Sequence, residues 1–235
     1  MTAAGAAART LHLDDHRSRA DLATYVGRAA RADPDGAARL VLVRRPGASV
    51  LAVYVCPVHG GGGPTVLGLR TFALAASGLD ADAGQLDVVV ALSALSDRLA
   101  RREASPVLAV PPAEVAGVVW AGISPPRAGW SEVGAVPARE LAEVAHRGIT
   151  EIAAGAPDVA GAPAVAALRA RVWGRAVGTG GARLPAGSAF VAHVLGFLTP
   201  TPQDGDDLAV RAAGPWRRLT TPGGHVLSRP PVLAL

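Results

Sequence analysis

The chain's one cysteine is followed closely by a histidine, in Cys56-Pro57-Val58-His59, and then by four glycines, Gly60–Gly63. A thiol and an imidazole are the raw material of nucleophilic catalysis, in which the imidazole takes the thiol proton and a third group orients it. Only two of those three parts are local here. The segment therefore reads as a buried cysteine beside a histidine, with Cys56 and His59 kept as weak catalytic candidates. The glycine run fails as a phosphate loop of the Walker type, because Pro64-Thr65 stands where Gly-Lys-Ser/Thr should open a helix. Gly178-Thr179-Gly180-Gly181 lacks both the preceding strand and the later glycine of a dinucleotide fingerprint. His12-Leu13-Asp14-Asp15-His16 has metal-compatible side chains but no element to fix them. Neither a cofactor nor a metal is expected, and no nucleophile elbow or zinc-protease helix occurs.

The other groups that could do chemistry are cations. All 23 basic residues are arginine, against 19 acids, and neither lysine nor asparagine is present. Residues 163–235 hold eight arginines and three aspartates, while the preceding part is close to neutral. Such an asymmetry points to an acidic partner. Arg169, Arg171, Arg175, Arg217 and Arg218 are the candidate contacts. Trp120, Trp130 and Trp216 flank segments rich in Pro, Gly and Arg, and Trp with Arg, including Arg127, is the composition of interface hot spots. Trp173 lies four residues after Arg169, a spacing that allows a cation–π contact on one helix face.

These groups have to be positioned by a chain that is half apolar and under one-fifth charged, a composition that folds around a core. Residues 1–17 read as a loose tail. Ser18-x-x-Asp21 before Leu22, Tyr25, Val26 and Ala29 reads as a capped helix of about 14 residues. Arg39–Arg44 and Ser49–Val55 form a hairpin around Arg45-Pro46-Gly47-Ala48. Strands over Val66–Ala75 and Leu86–Val90 follow, then a helix over Ala91–Arg102. The expectation for 18–104 is an α-β-β-β-β-α antiparallel meander sheet with flanking helices.

Residues 105–136 read as a Pro/Trp-rich connector. From 137 to 235 the periodicity gives three helices, the third over Gly187–Leu198, and then short strands forming a small β-hairpin. The predicted class is α+β. The α-α-α-β-β order is that of a winged helix, with Arg217 and Arg218 on the wing. The third helix opposes that plan, since Phe190, Val191, Val194, Leu195 and Phe197 surround it with apolar groups, as in a buried helix. Nucleic acid would be held through phosphates with little base readout.

One cysteine excludes an internal disulfide. The start of the chain lacks the apolar core of a signal peptide, and the longest apolar stretches fall well short of the ~20 residues that cross a bilayer. A cytoplasmic protein with no membrane association is expected.

The stretches Trp120–Trp130, Leu184–Phe190 and Gly214–Leu219 resemble segments of uncharacterised hypothetical proteins of high-GC actinobacteria. The likeness covers most of residues 18–230 and implies a cytoplasmic bacterial protein without bringing an activity or a site. The leading expectation is a non-catalytic protein-interaction or regulatory protein. A nucleic-acid-binding protein using the basic C-terminal half is the alternative, and a cysteine-dependent enzyme is a distant third.

Overall fold

The computed structural model describes residues 9–79, 86–101, 106–155, 161–199, 201 and 205–231. Their elements are a large antiparallel sheet and five α-helices, in two compact units. The first comprises Met1–Val55 and Arg70–Ala121, the second Cys56–Leu69 and Gly122–Leu235.

In the first unit the elements run β1 (Thr10–Leu13), α1 (His16–Ala32), β2 (Ala37–Arg45), β3 (Ala48–Val58), β4 (Thr65–Leu79), β5 (Asp87–Ala91), α2 (Leu92–Ala100) and β6 (Val107–Ala109). The last residues of β3 and the first of β4 belong to the second unit. Strands β2 and β3 pair antiparallel, with Leu40 opposite Val53 and Leu42 opposite Leu51. Gly47 makes their turn at φ +76°, a left-handed conformation that favours glycine. Helix α1 buries Leu22, Tyr25, Val26 and Ala29 completely, and the Tyr25 hydroxyl donates to the Val53 carbonyl at 3.3 Å.

Three expectations are corrected here. The residues expected to form a loose tail contain β1, which buries Leu11 and Leu13 and pairs with both β4 and β6. The cap of α1 is Asp15, whose carboxylate accepts from the Ser18 N–H at 2.7 Å. Asp21, expected to complete the capping box, instead pairs with Arg70 at 2.8 Å. The sheet is also not a simple meander, because the order is β5-β2-β3-β4. Strand β1 fills the edge of β4 where β5 would have paired, and β5 takes the outer edge of β2.

In the second unit the expected connector supplies β7 (Ser131–Pro137). There follow α3 (Ala138–Gly155), α4 (Ala162–Gly174), a two-stranded ladder of β8 (Ala176–Val177) and β9 (Leu184–Pro185), α5 (Gly187–Val194), β10 (Asp207–Ala213), β11 (Trp216–Thr221) and β12 (Gly224–Arg229). The strand order is β4-β12-β11-β10-β7, all antiparallel. What reads locally as a small terminal hairpin is thus three interior strands, closed by β4 on one side and β7 on the other. This overturns the winged-helix plan: a wing projects freely, whereas β11 is hydrogen-bonded along both edges. The core of this unit centres on Trp173, Leu195, Phe197 and Leu219, each 2 % exposed or less. Trp173 stacks on Phe190 with ring centroids 4.5 Å apart. The short α5 is buried over Ser188, Ala189, Val191 and Ala192, as its apolar surround predicts. None of the helices among the described residues is long and apolar enough to cross a membrane.

Candidate binding pocket

Successive residues of a strand face opposite sides of its sheet, so Arg217 and Arg218 cannot share a surface. Arg217 stands directly opposite Ser228 in the β11–β12 ladder, and the two line a cavity of about 550 Å³ in the second unit. Its walls come from separate pieces of chain: the Gly62–Pro64 loop after β3, Arg183 and Pro185 around β9, and the Gly214-Pro215 turn before β11. The prolines give rigid, apolar walls without N–H groups. At Gly62 and Gly63 the missing side chains leave the backbone itself as the surface.

The polar groups of this cavity are few and of one kind. Arg217 donates through Nη1 to the carbonyls of Gly214 (3.4 Å) and Trp216 (3.2 Å), which ties it to the turn. Its Nε and Nη2 meet no acceptor among the described residues. Arg183 is exposed and forms no ion pair among the described residues. Ser228 is 1 % exposed, and its hydroxyl has no hydrogen-bond partner there. Among the described residues no carboxylate, imidazole or thiol lines the cavity. The described lining therefore carries two permanently charged arginines and a buried serine, with no counter-charge among the described residues.

A smaller cavity of about 100 Å³ adjoins it through shared walls at Gly63, Pro64 and Ala170, and is lined by His59, Arg169 and Trp173. Arg169 donates to the Pro57 carbonyl at 3.5 Å. Its expected contact with Trp173 is not formed among the described residues, because the indole stacks on Phe190 instead.

The remaining expected site residues are dispersed. Cys56 is buried, with its Sγ 3.4 Å from the Val58 carbonyl and 3.5 Å from that of Val66, while His59 is exposed. Burial of the thiol beside backbone acceptors opposes a nucleophilic role. Arg175 forms a bidentate pair with Glu151, one arm at 2.7 Å, and Arg171 reaches the same carboxylate at 4.0 Å. This pairing holds the Glu151 carboxyl below its usual range, chiefly through the hydrogen bond from Arg175.

On the opposite side of the sheet from Arg217, the Arg218 guanidinium lies 4.7 Å from the Trp130 ring centroid. Burial and then the nearby Arg211 lower the Arg218 pKa. Arg211 is itself paired with Glu132 at 2.9 Å. Burial, Arg218 and Arg211 in turn push His225 below the normal histidine range. Trp130 is half-buried and donates to the Pro126 carbonyl at 3.0 Å, with Arg127 exposed next to that loop. Trp120 and Trp216 are 6 % and 4 % exposed, so both anchor their segments in the interior and neither presents a ring for contact.

Arg183 and Ser228 had no motif to mark them. The local signal for Ser228 is a hydroxyl following the apolar pair Val226-Leu227 in β12. Among the described residues no group of three or more His, Cys, Asp or Glu is placed to hold a metal; Asp15, from the histidine-flanked segment, is used as a helix cap.

Two family models match the chain. One is a Domain of unknown function (DUF8010) over residues 6–122, the other a Domain of unknown function (DUF8185) over residues 125–233. No curated protein matches. Among solved structures, the chain is similar to the DNA polymerase sliding clamp from Caulobacter crescentus, with 11 % identity over 97 % of this chain and a TM-score of 0.43. A second structure, that of Caulobacter crescentus pol III beta, gives 10 % identity over 96 % of this chain and a TM-score of 0.42. A C. crescentus beta sliding clamp with bound PEG gives 11 % identity over 97 % of this chain and a TM-score of 0.45. The chain spans 66 % of the length of each of these clamp chains.

Proposed function

We propose that this is a non-catalytic binding protein of the bacterial cytoplasm, interacting or regulatory in role, whose seat is the Arg183–Arg217–Ser228 pocket. The observation that carries this reading is the make-up of the pocket. Among the described residues it holds positive charge and a hydroxyl but no group that could take up or deliver a proton near neutral pH. Arginine stays protonated, and a serine without a base is a poor nucleophile. The described lining can hold an anionic group and offers nothing with which to transform it. The Arg-only composition and the three quoted segments support an actinobacterial source.

The nucleic-acid reading draws less support. Of the arginines it needs, Arg171 and Arg175 are engaged by Glu151, Arg218 lies over Trp130, and Arg217 faces the other side of the sheet.

Native mass spectrometry of the protein purified from its own cells tests the proposal. The expected result is a bound molecule or partner that the double variant Arg183→Glu/Arg217→Glu loses. Identical spectra of the bare chain for both proteins would overturn it.

A further inference from the structure

We infer that the ligand of the pocket is a small-molecule phosphate ester, an inference that rests on the binding reading above. The cavity, about 550 Å³, is of the size that takes small molecules, which occupy clefts of roughly 300–1,000 Å³. Its polar equipment matches a phosphate. Guanidinium groups donate paired, charge-assisted hydrogen bonds to phosphate oxygens, and Arg217 keeps its Nε and Nη2 for that purpose while Nη1 is held by the turn. Arg183 brings a second charge from a different part of the chain.

Ser228 supplies the independent observation. A hydroxyl 1 % exposed and without a partner is unusual in a folded protein, and here it lies opposite Arg217 on the wall of the cavity. A side-chain shift that let a phosphate oxygen accept from Ser228 and Arg217 together would satisfy it. The organic part of the ester packs against the proline rings of Pro64, Pro185 and Pro215, and the described lining offers no acid or base to cleave the ester bond.

The experiment is calorimetric titration of the full chain with phenyl phosphate, inorganic phosphate, benzoate and phenol, with amide shifts of Gly62, Gly63 and Gly214 followed by NMR. Phenyl phosphate should bind more tightly than the other three and shift those glycines. Its affinity should rise with pH through the second phosphate ionisation near pH 6, which adds charge to the ligand. Arg217→Met should weaken it about tenfold or more. Arg183→Met, at an exposed position without a partner, gives the same test with the fold intact. Phenyl phosphate binding no tighter than phenol, or binding indifferent to both arginine substitutions, would sink the inference. Benzoate binding equally well with the same arginine dependence would remove the phosphate assignment and leave the anion-binding reading standing, as would a copurifying molecule that carries no phosphate.

Discussion

Arg217 and Ser228 face each other across the β11–β12 ladder, one charged and the other a fully buried hydroxyl without a partner among the described residues. An unsatisfied buried hydroxyl costs stability, and replacing it by a methyl removes that cost. Ser228→Ala should therefore stabilise the protein by about 1 kcal/mol in urea unfolding while weakening phenyl phosphate. Loss of stability would mean that the hydroxyl is satisfied in solution.

Gly148 lies on α3 against the ring of Trp173, and a methyl group built there would overlap the indole edge. Trp173 cannot yield easily, since it is 2 % exposed and stacked on Phe190. Gly148→Ala should cost about 1–3 kcal/mol, in spite of alanine's better helix propensity, as measured by chemical denaturation. A stability equal to the parent would show that the α3–Trp173 contact is looser than described.

Two histidines make the protein sensitive to acid. His193 is pushed below the usual histidine pKa by burial and then by His146, whose ring centroid lies 4.6 Å away. His225 is lowered by burial, then by Arg218 and Arg211. A folded pKa below the unfolded one, 6.5 for both groups, means that the unfolded chain binds the proton first. Their contribution is present above about pH 6.5 and is lost as pH falls toward the folded values. Melting temperatures taken across this range should fall with acidification, and His193→Gln or His225→Gln should each flatten the slope. A slope unchanged in both variants would assign the acid sensitivity to carboxylates.

Cys56 should be chemically silent. Its thiol is 3 % exposed and close to two backbone carbonyls, so alkylation requires opening of the structure. The rate of reaction with iodoacetamide should rise by orders of magnitude on adding denaturant. Fast labelling of the native protein would revive Cys56 and His59 as a reactive pair.

The elements that local sequence specifies are close to those observed. The hairpin around Gly47 follows from a turn composition between two β-rich runs. The apolar spacing of Leu22, Tyr25, Val26 and Ala29 marks the buried face of α1. The apolar surround of α5 marks it as an interior helix. The cap of α1 is ambiguous in the sequence because Asp15 and Ser18 are equally good capping residues; in the fold Asp15 accepts from the Ser18 N–H while Asp21 pairs with Arg70.

What the sequence alone determined is thus the inventory: α+β elements, one buried thiol, and a C-terminal third rich in arginine. Tertiary structure decided the neighbours. Strand β1 takes the edge of β4, β7 comes from a proline-rich connector to flank β10, and the presumed wing becomes the middle of a sheet. It also separated Arg217 from Arg218, paired Arg171 and Arg175 with Glu151, and brought Arg183 and Ser228 to one cavity. The physical reason is range. Periodicity, caps and turns are set within a few residues, whereas strand order and side-chain juxtaposition depend on which distant segments bury each other's apolar faces and satisfy each other's hydrogen bonds.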